Sequence, residues 1–215
     1  MYRTLFDAFG PQHWWPADSP IEIIVGAILT QNTAWTNVQR AIANLRAHGL
    51  LDVAALRDVP LNELADRVRP AGTFRVKAQR LKAFIDWLCR QYNGDLDVMF
   101  NVEPERLRSE LLNVKGIGPE TADAVMLYAG KIPVFVVDAY TQRISRRHHL
   151  IPAIAAADDA TYDRTQRVFE AQLAREANLF GEYHALLVAV GKQFCRPRAR
   201  CDLCPLRDFA HDPEL

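Results

Sequence analysis

The sequence predicts an all-α protein, and three observations carry that prediction. Ser19-Pro20-Ile21-Glu22 combines a capping box with Pro at the first helical position, a strong helix start. Apolar residues recur at helical spacing, as in Leu81, Phe84, Ile85 and Leu88. Only Val134-Phe135-Val136-Val137 reads as strand, and four residues do not build a sheet.

Taken in order, the Ser19 box opens the apolar run that follows it. Residues 34–47 continue as a second helix ended by Gly49, and residues 60–69 form a short helix closed by Pro70. Residues 74–92 are amphipathic, and their first turns carry Arg75, Lys77, Arg80 and Lys82 without an acid among them. Residues 104–112, 119–129, 139–150, 159–177 and 181–191 complete the helical set. No repeat, low-complexity tract or long linker interrupts them.

The 215 residues suit one large domain or two small ones, and 49% apolar with 24% charged residues excludes disorder, collagen and coiled coil. The longest uncharged run, Ile23 to Gln39, contains Gln31, Asn32, Gln39 and several Thr, so it is too polar to span a bilayer. No secretory leader pattern opens the chain, and the expectation is a cytoplasmic protein with no membrane association. The 26 Lys+Arg balance 26 Asp+Glu, which argues against an indiscriminate polyanion binder. Local excess exists nonetheless. Residues 139–200 hold ten basic and six acidic side chains, including Arg143, Arg146 and Arg147 and the acid-free run Lys192, Arg196, Arg198 and Arg200.

Residues 111–129 read Leu-Leu-Asn-Val-Lys-Gly-Ile-Gly-Pro-Glu-Thr-Ala-Asp-Ala-Val-Met-Leu-Tyr-Ala. A helix ends near Leu112, a tight turn runs through Gly116-Ile117-Gly118, and Pro119 opens a new helix. Glycine lets the backbone approach a ligand, and the free N–H groups of such a turn offer a phosphate site. Alone, this is equally a plain helix corner. Eighteen residues after Glu120, however, Asp138 follows an apolar run and precedes a helix. By position it reads as an N-cap.

With Leu29-Thr30-Gln31-Asn32-Thr33, Gly116-Ile117-Gly118, Val137-Asp138 and Cys201-x2-Cys204-Pro in order, nearly the whole chain resembles the endonuclease III superfamily of helix–hairpin–helix DNA glycosylases. The resemblance implies a six-helix barrel over about 22–132 that contains the hairpin, a second helical domain from 1–21 plus 133–215, and a DNA-binding cleft with Asp138 as the catalytic residue. The partner implied is double-stranded DNA containing damaged bases, bound by a monomer. The hairpin residues Lys115, Gly116, Ile117 and Gly118, together with Arg143, match DNA-contacting places. Gln31 and the turn Thr73-Phe74 match places that fill the space left by a flipped base.

One departure is informative. Bifunctional members carry a Lys two residues after the hairpin's second Gly, and that position here is Glu120. Without an amine no Schiff base forms, which leaves a monofunctional glycosylase using water. Trp14-Trp15-Pro16, the early Gln31 helix and Glu120 look like the bacterial 3-methyladenine glycosylases of endonuclease III type. There the Trp-Trp-Pro lines the base pocket, and Lys192 falls where a pocket Lys stands. Alkylated purines are cationic, so they favour π-faces and leave readily. The open alternatives are a glycosylase for another damaged or mismatched base and a non-catalytic helix–hairpin–helix DNA-binding protein.

The superfamily often carries a [4Fe–4S] cluster on C-x6-C-x2-C-x5-C. This chain gives Cys195-x5-Cys201-x2-Cys204-x5-Ala210. Three thiolates completed by water or His211, a Cys3His zinc site, and no metal at all stay open. Cys89, alone on its helix, reads as a small buried hydrophobe.

Overall fold

The computed structural model describes residues 1–151 and 159–215. Among these, every regular element is helical, and the chain forms two compact units: Trp15–Ile132, and Met1–Trp14 with Pro133–Leu215. No described helix is long and apolar enough to cross a membrane.

The Trp15–Ile132 unit is built on α2, Pro20–Leu29, whose residues after Pro20 are all buried. Ser19 caps it by accepting from the Glu22 N–H at 3.4 Å. Glu22, expected to reach back to Ser19, accepts instead from the Asp18 N–H at 3.3 Å and from Arg46 at 2.6 Å. Arg46 lies on α3, Trp35–Ala47, so the cap also ties two helices. Two short helices follow, α4 at Val53–Asp58 and α5 at Leu61–Arg67. Next comes α6, Phe74–Tyr92, which buries the predicted stripe Leu81, Phe84, Ile85 and Leu88. After α7, Leu96–Phe100, the hairpin consists of α8, Pro104–Leu112, and α9, Pro119–Ala124. A bidentate pair binds its two arms: Arg108 on α8 donates to fully buried Asp123 on α9 at 2.7 and 3.1 Å. The last turn, Val125–Ala129, widens into a buried π-helix.

The other unit contains α1, Tyr2–Phe9, α10, Ala139–Arg147, α11, Asp159–Gln172, and α12, Ala177–Gln193. Its segment 134–137, read as strand-like, forms no regular element and pairs with no strand among the described residues. Side chains of α11 satisfy its backbone: Glu170 accepts from the Phe135 N–H at 2.8 Å, Gln166 donates to the Phe135 carbonyl at 2.7 Å, and the Tyr162 hydroxyl accepts from Val137 at 3.3 Å. Phe135 stacks on Phe169 with centroids 4.4 Å apart. The β-branched run is therefore a core filler that leads into Asp138. Three helices went unpredicted, α1, α4 and α7, each of eight residues or fewer. The residues between Leu150 and α11, read as loop, include 152–158, which lie outside the described residues.

Candidate active site

Asp138 is the N-cap of α10: its Oδ1 accepts from the Thr141 N–H at 2.7 Å, with Asp138 in extended backbone. It is buried, at 9% exposure. Its Oδ2 lies 3.7 Å from Nε2 of His184 on α12. Burial pushes the carboxyl pKa up, but His184 and the Thr141 donors outweigh it and hold the group below its ordinary value. The result is a buried carboxylate that stays ionised at neutral pH. His184 carries no sequence signal, because it comes from a helix 46 positions away and no motif spacing marks it.

The hairpin turn is held from two sides within its unit. Gly116 takes φ +88°, a region that favours glycine. Gln31, just beyond α2, donates through Nε2 to the Gly116 carbonyl at 3.0 Å and to the Thr121 hydroxyl at 2.9 Å. Its Oε1 accepts a short hydrogen bond from Arg80 Nη1 on α6. Ile117 is buried, while Lys115, Gly116 and Gly118 are exposed. Glu120 is the second residue of α9 and is exposed. The Thr73-Phe74 turn carries backbone strain, because Thr73, a β-branched residue, sits at φ +38°. Phe74 lies beneath the guanidinium groups of Arg69 and Arg75, at 4.7 and 5.5 Å.

Of the predicted pocket residues, Trp14 ends one unit and Trp15 and Pro16 begin the other. Trp15 meets Trp35 edge-on at 5.2 Å and Tyr128 at 5.4 Å, Tyr128 being presented by the π-helical turn. Gly26 makes room for it: a Cβ there would stand 2.9 Å from Trp15 Cζ2. Trp35 and Tyr128 were not singled out from the sequence, although both flank motifs that were. Trp15 and Trp35 are half-buried, and Pro16 is exposed. Lys192 is exposed in the last turn of α12.

The basic runs divide more sharply than their composition suggests. Lys77 is buried, with Nζ on the Ala71 carbonyl at 2.6 Å, and burial lowers its pKa, with the charge of Arg80 adding to the effect. Lys82 donates to the carbonyls of Leu56 and Arg57, both at 2.8 Å. Arg143 was expected to contact DNA, but it donates to the Cys195 carbonyl at 2.7 Å and the Gly191 carbonyl at 3.4 Å. Arg147 is buried, with Nη1 on the Arg196 carbonyl at 2.6 Å and Nη2 on the Pro197 carbonyl at 2.9 Å. These two arginines fasten a loop. Arg146 stays exposed, as do Arg196, Arg198 and Arg200.

That loop contains Cys195, Cys201 and Cys204, which line one cavity together with His148 and His211. Cys195 also takes a donor from Arg147 Nη1 at 3.4 Å, and burial pushes the Cys204 thiol up, with the other two cysteines adding to it. Among the described residues, no three His, Cys, Asp or Glu side chains converge closely enough to hold a metal ion. Ala210 stands at the fourth cluster position and offers no donor. His211 has Nδ1 2.7 Å from the Phe209 carbonyl; donated there, the proton leaves Nε2 as the ring's one lone pair. The set does not match a four-thiolate cluster.

Comparison with known proteins agrees with the architecture. Residues 25–171 match the model of the HhH-GPD superfamily of base excision DNA repair proteins. A protein of Methanocaldococcus jannaschii, assigned by inference to the DNA repair glycosylases, is 42% identical over 211 residues, which is 97% of this chain and 93% of that protein. Endonuclease III of Sulfolobus acidocaldarius is 27% identical over 188 residues, 86% of this chain and 79% of its own. The crystal structure of the H. pylori 3-methyladenine DNA glycosylase bound to 1,N6-ethenoadenine superposes with a TM-score of 0.74 at 26% identity, covering 89% of this chain and 95% of that one. A helix–hairpin–helix tied by Arg108 and Asp123, followed by a capped Asp138, is thus set in a fold these proteins share. The chain belongs to the HhH-GPD superfamily of base excision DNA repair proteins.

Proposed function

We propose that the protein is a monofunctional DNA glycosylase that hydrolyses the N-glycosidic bond of alkylated purines such as 3-methyladenine. The observation that carries this reading is a buried, ionised Asp138 in a chain whose hairpin helix carries a carboxylate, Glu120, at the sequence position where bifunctional relatives would carry an amine. With no amine there, a sugar–enzyme imine does not form and β-elimination lacks its nucleophile. Water is then the attacking group.

The target base leaves the stack before the bond breaks. As the bond lengthens, positive charge develops on the sugar. Asp138 faces that charge with an oxygen already fixed by the Thr141 N–H, so little reorganisation is needed at the moment of reaction. The same carboxylate orients the water and takes its proton. Trp14 and Trp15 give the base its π-faces, and Trp35 and Tyr128 set the ring plane of Trp15. A cationic purine gains about 0.5–2 kcal/mol from such a face and needs little acid assistance to depart. Pro16, Glu120 and Lys192 are the further base-pocket residues that the family likeness implies, and the hairpin and Thr73-Phe74 the DNA-contacting ones.

A second reading, a glycosylase for another damaged or mismatched base, draws on Trp15 being half-buried by aromatic neighbours, which narrows the π-surface left for a cation. A panel of lesion-containing duplexes, with and without alkali, tests both. Release of 3-methyladenine with strand breaks only after alkali supports the first. A borohydride-trapped DNA adduct, or release confined to neutral bases, sinks it. Iron and zinc analysis of the purified protein decides between a cluster on Cys195, Cys201, Cys204 and His211, a zinc ion, and a loop without metal.

A further inference from the structure

We infer that Arg80 is a DNA-phosphate ligand of the hairpin, pre-positioned by Gln31. The side chain of Arg80 lies directly across Gly116: a Cβ on that glycine would stand 2.8 Å from both Cδ and Nε of Arg80. Gly116 thus serves two ends, its positive φ and the passage of a guanidinium over the exposed turn. Gln31 makes the link rigid. Its carboxamide oxygen takes Arg80 Nη1, while its amide nitrogen holds the Gly116 carbonyl and the Thr121 hydroxyl. One neutral side chain therefore locks a cation to the hairpin backbone.

The guanidinium has no carboxylate partner among the described residues. Arg46, Arg69 and Arg108 of the same unit pair with acids at 2.6 to 3.0 Å. Arg80 instead faces a neutral amide, with buried Lys77 one turn before it and exposed Lys115 on the turn it covers. Among the described residues, no acceptor takes its Nε or Nη2 donors. A planar fork of donors, half-buried, held in place and lacking an anion, suits the oxygens of a phosphodiester. Holding the side chain in advance removes most of the ordering cost of the contact. Among the four basic residues at the start of α6, Lys77 and Lys82 are committed to backbone carbonyls, which singles out Arg80 at the hairpin.

This rests on DNA as partner and not on the lesion class, so undamaged duplex is the right probe. Binding of the full chain to such a duplex is measured across a salt series for the parent, Arg80→Ala, Arg80→Gln, Arg80→Lys and Arg90→Ala. Losing one phosphate contact lowers the slope of log K against log salt by about 1. Arg80→Ala and Arg80→Gln are expected to show that drop, Arg80→Lys to keep the parent slope, and Arg90→Ala, exposed at the far end of the same helix, to keep it too. Arg80→Gln replaces the donor to Gln31 with an uncharged one, so it remains informative if the alanine variant fails to fold. A parent slope in Arg80→Gln overturns the assignment, as does an equal drop in Arg90→Ala. Loss of 3-methyladenine activity in the parent would leave it standing.

Discussion

Oδ2 of Asp138 and Nε2 of His184 face each other at 3.7 Å inside one helical unit, with Oδ1 turned the other way onto the Thr141 N–H. The histidine and the helix cap divide the carboxylate between them and together hold it ionised against its burial.

Replacing His184 by Ala removes one of the groups that lower the Asp138 pKa, so that pKa rises. The acid limb of the pH–rate profile for base release is expected to move to higher pH, with the plateau rate less affected. Single-turnover rates from pH 4 to 8 read this directly; an unmoved limb would falsify the role given to His184.

Asp138→Asn keeps a capping oxygen for Thr141 and so keeps the start of α10. Base release should fall by about 10²- to 10⁴-fold, and the thermal midpoint at neutral pH should fall as well, because the Asn variant lacks the share contributed by the ionised carboxylate. The acid side distinguishes the proteins further. The folded pKa of Asp138 is depressed, so its stabilising share is present above the unfolded value of 3.8 and is lost as pH falls through the folded value. Denaturation curves recorded below that unfolded value should show the parent losing this share and the Asn variant, which never had it, losing less.

Arg147→Ala leaves the carbonyls of Arg196 and Pro197 and the Cys195 thiol without their charged donor. A loss of about 3 kcal/mol is expected, with faster proteolysis between Cys195 and Leu203. Urea denaturation and limited digestion check it. Arg146→Ala, exposed on the same helix, is the control and should cost under about 0.5 kcal/mol.

Gly191→Ala tests how closely α10 and α12 approach. A Cβ there would stand 2.6 Å from Cβ and Cγ of Tyr140, so the better helix propensity of alanine cannot be realised without moving that ring. A destabilisation of about 1 to 3 kcal/mol is expected in urea titration, and Tyr140→Ala in the same chain should recover part of it.

Much of this was legible in the sequence, for reasons that are local. Ser19, Pro20 and Glu22 announce α2 because capping is a matter of neighbouring residues, and Asp138 announces α10 in the same way. The stripe Leu81, Phe84, Ile85 and Leu88 needs only helical periodicity. What stayed hidden depends on partners remote in sequence. His184, and the commitment of Arg143 and Arg147 to loop carbonyls, arise from packing that no spacing encodes. The arginines looked like a DNA-facing run because charge composition cannot distinguish a solvated guanidinium from one spent on backbone. The π-turn that presents Tyr128 was invisible too, since its residues fit an ordinary helix equally well. Helices α4 and α7 are too short to complete a periodic pattern.

Helix α10 is nine residues long and holds something at each end: the carboxylate at its first turn, and at its last two turns the guanidinium groups that grip the C-terminal loop. The loop that begins at Cys195 is thereby fastened through its own carbonyls. Asp138 and a loop more than fifty residues further on thus share one nine-residue helix, and cleavage of that loop or oxidation of its thiols would disturb the helix that Asp138 caps.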